Sequence, residues 1–135
     1  MDNDPFTAMD QYSCNKAFQK ALSLQELGNL AGAAAEFARA TDLDGTDPRF
    51  WIARGEVLLQ LRHFDEAARC LRVGVDLKPH YGEADARLFL ADALWGAGRK
   101  VEAAAEWMTV SKMTPSYPGY EQPIDEAKRR LAEVQ

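Results

Sequence analysis

Residues 48–81 of the chain read PRFWIARGEVLLQLRHFDEAARCLRVGVDLKPHY, and this stretch decides the fold. Its alanine Ala67 has counterparts in Ala33 and Ala103, which stand 34 residues before it and 36 residues after it. A period of this length indicates stacked copies of one structural unit rather than a single irregular core. The sequence therefore predicts three repeats.

Three further sets of residues recur with the same period and fix the register of the repeats. They stand twelve and nine residues before the alanines and four residues after them: Ala21, Gly55 and Ala91; Leu24, Leu58 and Leu94; Phe37, Leu71 and Trp107. Two antiparallel helices approach closely where both carry small side chains, and large apolar residues fill the space beside the crossing. Each repeat is therefore predicted to be a helix pair, with Gly55 opposite Ala67 in the middle one.

This pattern resembles the tetratricopeptide repeat, a 34-residue helix-turn-helix unit. The middle repeat carries the family's preferred residue types, with Arg54 as its departure: Trp51, Gly55, Leu58, Ala67, Leu71, Gly74 and Pro79. The resemblance implies an all-α, right-handed superhelical solenoid of three repeats with a C-terminal capping helix. We place an N-terminal extension at 1–13, the repeats at 14–47, 48–81 and 84–117, and the capping helix at 123–135. In the third repeat, Arg87 and Val110 depart from the pattern.

The ends of several helices are also legible in the sequence. Asp47 is predicted to cap a helix whose first residue is Pro48, and Pro79 and Pro115 are predicted to stop helices. We expect Ala40 and Gly74 to keep the second helices of their repeats thin where the next repeat packs. In the capping helix, an apolar stripe is predicted to face the last repeat while the charged residues face away: Ile124, Ala127, Leu131 and Val134 against Lys128, Arg129, Arg130 and Glu133.

Composition excludes several classes of partner. The chain has 135 residues, a net charge of −5 and a pI near 5.0, which disfavours binding to nucleic acid or to an anionic membrane. No apolar run approaches the roughly 18 residues that a transmembrane helix needs, and the first residues are acidic where a signal peptide is basic. We therefore expect a cytoplasmic protein whose two cysteines, Cys14 and Cys70, are reduced.

The sequence offers little for catalysis. The two histidines, His63 and His80, fall in different turns, without cysteine or carboxylate neighbours at metal-ligand spacing. The glycines are scattered singly, so no phosphate-binding loop is predicted, and Cys14 and Cys70 have no base nearby in sequence. We therefore expect no enzymatic activity, no metal and no cofactor.

The resemblance implies that function lies on the concave surface, which the first helix of each repeat lines in this family. Phe18, Leu22 and Ala53 stand where one subset of the family has the lysines and asparagines that grip a peptide carboxylate, so that clamp is absent. We expect an apolar strip edged by acidic residues, suited to a peptide with apolar anchors and a basic residue. Trp95 is the expected hot spot, and the alternative is that these apolar residues are packed by neighbouring helices. The predicted groove residues are Phe18, Leu22, Gln25, Arg49, Ile52, Glu56, Leu59, Asp85, Leu88, Asp92 and Trp95.

These features favour a non-catalytic adaptor that binds a peptide segment of a partner protein. One alternative is a chaperone of the type III secretion class, because residues 43–44 and 47–51, LD and DPRFW, resemble a stretch of those three-repeat chaperones. Those proteins usually carry a longer helical arm before the first repeat. A second alternative is a regulatory or inhibitory subunit of an enzyme or toxin. The sequence leaves the partner and the oligomeric state open.

Overall fold

The structure is a computed structural model that describes residues 5–134, with the surroundings of side chains given from residue 13 onward. Residues 5–134 contain helices and turns and no strand. Each helix packs mainly against the next one along the chain, as a solenoid requires. The helices are α1 (Pro5–Glu26), α2 (Leu30–Leu43), α3 (Pro48–Gln60), α4 (Phe64–Asp76), α5 (Glu83–Gly96), α6 (Lys100–Ser111) and α7 (Glu121–Val134).

The first helices of the repeats form one side of the molecule, which we call the inner face. Helix α3 contacts α5, and α5 contacts α7. At the other end, Gln25 on α1 donates a hydrogen bond from Nε2 to Oε1 of Gln60 on α3, over 3.2 Å. The inner face therefore runs along α1, α3, α5 and α7, and α2, α4 and α6 lie behind it.

The core follows the predicted register. The recurring small residues are buried in all three repeats, and Phe37, Leu71 and Trp107 are at most 1% exposed. Leu58 and Leu94 are buried as well, while Leu24 in the first repeat is half-buried. A Cβ atom on Gly55 would lie 2.4 Å from Cγ of Leu71, which is too close for any real contact. Leu71, rather than the predicted Ala67, is thus the residue that most directly requires glycine at position 55.

Two other glycines make room for neighbouring helices. A Cβ on Gly74 would lie 2.7 Å from Cγ1 of Ile52, on the first helix of the same repeat. The prediction that Gly74 makes room for the next repeat is therefore wrong, because its nearest neighbours belong to its own repeat. A Cβ on Gly96 would lie 2.4 Å from the ring of Phe64, so this glycine lets α5 end against the start of α4.

The helix ends follow local chemistry. The carboxylate of Asp47 accepts a hydrogen bond from the backbone N–H of Arg49 over 2.9 Å, and Pro48 opens the helix as predicted. Asn29 caps α2 in the same way, by accepting from the N–H of Gly32. In the turns between paired helices, Gly28, Arg62 and Gly98 occupy equivalent positions with φ of 81°, 63° and 83°. Repeat 2 thus places an arginine where the other repeats have glycine.

A departure from the family pattern in the third repeat has a structural explanation. Arg87 forms an ion pair with Glu106, with 2.9 Å between Nη1 and Oε2. The other carboxylate oxygen of Glu106 lies 2.7 Å from Nη2 of Arg72 on α4. Glu106 is only 7% exposed, so one buried carboxylate joins α4, α5 and α6. The pair with Arg72 joins repeat 3 to repeat 2, and the pair with Arg87 joins the two helices of repeat 3.

The two ends of the chain differ in part from the predictions. Helix α1 starts at Pro5, so residues 5–13 of the predicted extension continue the first helix. Helix α7 buries Ile124 and Ala127 against the last repeat, as a capping helix should. The prediction that Arg130 faces away is wrong, because its Nη1 lies 3.2 Å from Oδ1 of Asp92 on α5.

Candidate functional site

The predicted groove residues lie on α1, α3 and α5, which form the inner face. Of the eleven, Arg49 and Asp85 are exposed and the other nine are half-buried. Several of the nine also pack against the core, among them Phe18, Leu22 and Trp95. The inner face is thus a surface whose apolar residues are held in place from behind.

At the N-terminal end of the inner face, an aromatic cluster holds Arg49. The ring of Phe18 lies 5.7 Å from that of Phe37 and 5.0 Å from that of Phe50, measured between centroids. The guanidinium of Arg49 sits 5.8 Å from the centroid of Phe18 and 5.6 Å from that of Phe50. Phe18 and Arg49 are therefore engaged within the chain.

Arg49 also binds a carboxylate of its own chain. Its Nη2 lies 2.7 Å from Oδ2 of Asp47, and its Nε donates to Oδ1 over 3.1 Å. The side-chain hydrogen bond from Arg49 lowers the pKa of Asp47, against a smaller opposing effect of burial. This bidentate ion pair compensates the positive charge of Arg49.

A cavity of about 510 Å³ opens beside the start of α3, and we call it the α3 pocket. Most of its wall is carbon, contributed by Ile52, Ala53 and the prolines, while Glu56 supplies an acidic group. Tyr81 is 74% exposed and stands with its ring 5.0 Å from that of Tyr117, edge to face. The pocket is lined by Asp47, Pro48, Arg49, Ile52, Ala53, Glu56, Pro79, His80, Tyr81 and Gly82.

The sequence prediction missed the wall of this pocket that the α4–α5 loop contributes. Arg49, Ile52 and Glu56 were predicted for the groove, but Pro79, His80 and Tyr81 were not. The signal was present, because the two extra residues near Gly82 lengthen the turn that holds them. A longer turn between repeats is a natural place for loop residues to reach the inner face.

Three carboxylates on the inner face differ in how they are neutralised. Burial raises the pKa of Glu56, and the nearby charge of Asp85 raises it further. Burial also raises the pKa of Asp85. Among the described residues, neither Glu56 nor Asp85 has an ion-pair or hydrogen-bond partner. In its ionised form, each acid therefore carries a charge that no group among the described residues compensates.

Asp92 is different, because the capping helix neutralises it. Its Oδ1 lies 3.2 Å from Nη1 of Arg130, close enough for an ion pair although the groups are not aligned for a hydrogen bond. Burial raises the pKa of Asp92, and the charge of Arg130 opposes that rise. Asp92 therefore lies on α5 with its charge already compensated within the chain.

Trp95 lies at the C-terminal end of the inner face. Its ring lies 5.4 Å from that of the buried Trp107, and it packs against two clusters of the core. The ammonium of Lys100 sits 4.8 Å from its ring centroid. Trp95 is therefore half in the core and half on the surface.

The groups that could act as nucleophiles or metal ligands are not assembled into a site. In residues 13–134, no three His, Cys, Asp or Glu side chains are close enough to hold a metal ion together. Cys14 and Cys70 are buried thiols that form no disulfide, and burial raises the pKa of both. A thiol with a raised pKa is a poor nucleophile at neutral pH.

Within residues 5–134, every helix is too short or too polar to cross a bilayer.

The repeated helix pairs, the buried small residues at their crossings and the inner face define a helical-repeat protein. The chain belongs to the tetratricopeptide repeat family, because the model of that family matches residues 18–81 and 52–120. No curated protein sequence matches the chain significantly.

Solved structures with low sequence identity share the fold. PcrH, in complex with the chaperone binding region of PopD, is 15% identical with a TM-score of 0.81, over 92% of either chain. The Yersinia enterocolitica type III secretion chaperone SycD, in complex with a peptide of the translocator YopD, is 18% identical with a TM-score of 0.79, over 89% of this chain and 90% of SycD. The first repeat domain of Spaghetti (RPAP3), bound to the HSP90 peptide SRMEEVD, is 17% identical with a TM-score of 0.72, over 90% and 94%. The all-helical repeat fold predicted from the sequence is thereby confirmed.

Proposed function

We propose that this chain is a non-catalytic interaction module that binds a segment of a partner protein along its inner face, in the cytoplasm. The observation that carries the proposal is the α3 pocket, an apolar cavity of about 510 Å³ on a preformed surface. A rigid repeat surface binds a segment without paying for its own ordering. The segment would supply apolar anchors and a basic residue.

Structures of similar fold support this proposal by analogy. Three of them are bound to segments of other proteins: the chaperone binding region of PopD, a peptide of YopD and an HSP90 peptide. Because these proteins have low sequence identity to this chain, the chemistry of its partner follows from the residues of this chain and not from theirs.

Site-specific photo-crosslinking in the native cell tests the proposal. A photoreactive amino acid at Gln25 or Asp85 should form crosslinks to a partner protein, because both positions face the inner side. The same amino acid at Asp42 or Asp76, exposed on α2 and α4 behind that face, serves as the control. Equal crosslinking from both sides, or none from the inner face, would contradict the proposal.

Trp95→Ala separates a binding role of this residue from a core role. Loss of a hot-spot tryptophan weakens partner binding by about 2 kcal/mol or more, while loss of a core tryptophan lowers the free energy of unfolding by about 3 to 5 kcal/mol. Because Trp95 touches the core and the surface, affinity and unfolding have to be measured on the same variant. Retained affinity together with lost stability would remove Trp95 from the binding site.

A chaperone of secreted proteins is a second candidate. SycD is a type III secretion chaperone in complex with a peptide of the translocator YopD, and PcrH is in complex with the chaperone binding region of PopD. The continuation of α1 back to Pro5 also supplies part of the helical arm that such chaperones carry before the first repeat. If the crosslinked partner is a secreted protein that aggregates without this chain, the chaperone role is favoured. An enzyme or toxin as partner would favour a regulatory subunit.

A further inference from the structure

We propose that the bound segment places an apolar side chain in the α3 pocket and a neighbouring lysine or arginine between Glu56 and Asp85. This inference rests on the proposed function and adds to it the chemistry of the partner and the position where its charge is read. It predicts that the module selects basic segments and rejects acidic ones.

The shape of the α3 pocket argues for an apolar anchor. Carbon atoms of Ile52, Ala53 and Pro79 form much of its wall, and Tyr81 stands at its rim with most of its ring in solvent. An apolar side chain that enters would remove this surface from water, which is favourable at about 25 cal/mol per Å² of buried area. The volume suits one large side chain and its adjoining backbone.

The charges of the inner face argue for a basic neighbour. Of its four charged predicted residues, Arg49 is bound by Asp47, and Asp92 is paired with Arg130. The two that lack such a partner, among the described residues, are Glu56 and Asp85, and both are acidic. The inner face therefore lacks a positive charge beside Glu56 and Asp85, and a lysine or arginine of a partner would compensate these two acids.

The position of these acids ties the two parts of the proposal together. Glu56 itself lines the α3 pocket, on the turn of α3 that follows Ile52 and Ala53. Asp85 lies exposed on α5, the helix that contacts α3 on the inner face, and its charge acts on Glu56. An anchor in the pocket would bring a basic residue next to it in the chain within reach of both.

Three basic residues described near this surface, Arg49, Arg130 and His80, do not pair with Glu56 or Asp85. Arg49 lines the same pocket, but Asp47 and the rings of Phe18 and Phe50 hold its guanidinium. Arg130 is held by Asp92 and by Glu126. His80 lies exposed at the pocket wall and pairs with neither acid.

Selection from a random nonapeptide display library tests the proposal. The unmodified protein should enrich peptides that carry lysine or arginine within two residues of a large apolar residue. The double variant Glu56→Gln/Asp85→Asn should lose this enrichment of basic residues, and it should bind the best selected peptide about tenfold more weakly in a fluorescence anisotropy titration. The control Asp42→Asn/Asp76→Asn removes the same net charge from exposed positions on α2 and α4 and should change neither result.

Two further measurements test the apolar anchor and the basic residue separately. Tyr81→Ser removes a wall of the pocket at a largely exposed residue, so it should weaken binding while the melting temperature stays nearly unchanged. A version of the selected peptide in which every lysine and arginine is replaced by glutamate should bind at least tenfold more weakly than the selected peptide itself.

Each result has a definite meaning. Enrichment of apolar peptides without basic residues, or equal affinity of the double variant, would overturn this inference and leave the proposed function standing. Tight binding of the glutamate version of the selected peptide would overturn it as well. If no peptide is enriched and the crosslinking experiment also fails, the proposed function itself falls.

Discussion

Replacing Gly55 by alanine tests the contact that sets the spacing of α3 and α4. The new Cβ would lie 2.4 Å from Cγ of Leu71, 2.8 Å from its Cδ2 and 3.2 Å from its Cδ1. Leu71 is fully buried, so its side chain has no open space to move into. The helices or the leucine must therefore shift to accept one methyl group.

Two opposing effects decide the size of the change. Alanine in a helix interior is favoured over glycine by about 1 kcal/mol, which on its own would stabilise the protein. Overpacking a well-filled core costs about 1 to 3 kcal/mol. We expect the second effect to win, so that Gly55→Ala lowers the free energy of unfolding by about 1 kcal/mol and Gly55→Leu lowers it by more.

A double-mutant cycle identifies the cause. In a Leu71→Ala background the clashing atoms are gone, so Gly55→Ala should now raise the free energy of unfolding by about 0.5 to 1 kcal/mol. Because Leu71→Ala itself costs about 2 to 5 kcal/mol, all four proteins are compared by urea denaturation in the same concentration of a stabilising osmolyte. If the effect of Gly55→Ala has the same sign and size in both backgrounds, the assigned contact between α3 and α4 is refuted.

Three other changes test the electrostatics and the backbone. Glu106→Gln should lower the free energy of unfolding by about 2 to 4 kcal/mol, because Arg72 and Arg87 lose their shared carboxylate, while Glu102→Gln at an exposed pair should leave the melting temperature nearly unchanged. Arg62→Gly should stabilise the protein by about 0.5 to 1 kcal/mol, because φ is 63° there; equal or lower stability would contradict this. Glu56→Gln should raise the melting temperature at pH 7. Because the folded-state pKa of Glu56 is raised, this gain should vanish as the pH falls through that pKa toward about 4.3, the ordinary value for glutamate.

Most of the fold could be predicted because it depends on local spacing. A period near 34 residues fixes which residues of each helix pair face each other, and burial of Phe37, Leu71 and Trp107 follows from it. The N-cap at Asp47 depends on a contact two residues away, so the sequence shows it directly. Gly74 was assigned to the wrong neighbour because a period alone does not say which of two adjacent helices a small residue faces.

Much less of the site could be predicted, because it depends on pairs that are distant in sequence. The ion pair of Asp92 with Arg130 joins residues 38 positions apart on α5 and α7. Its formation depends on how the capping helix turns against the last repeat. Tyr81 reaches the α3 pocket only because of the path that the α4–α5 loop takes. Helical periodicity contains no information about either.

The acids of the inner face connect stability with the proposed binding. A half-buried carboxylate without a cationic partner destabilises the fold, and the chain has sixteen lysines and arginines that could supply one. Arginines of the chain pair with Glu106 and Asp92, whereas none of the described residues pairs with Glu56. If the acids have only a structural role, Glu56→Gln gains stability and loses nothing. If they receive a basic residue of a partner, the same substitution gains stability and weakens binding, and these opposite signs in one variant distinguish a recognition site from an imperfection of the fold.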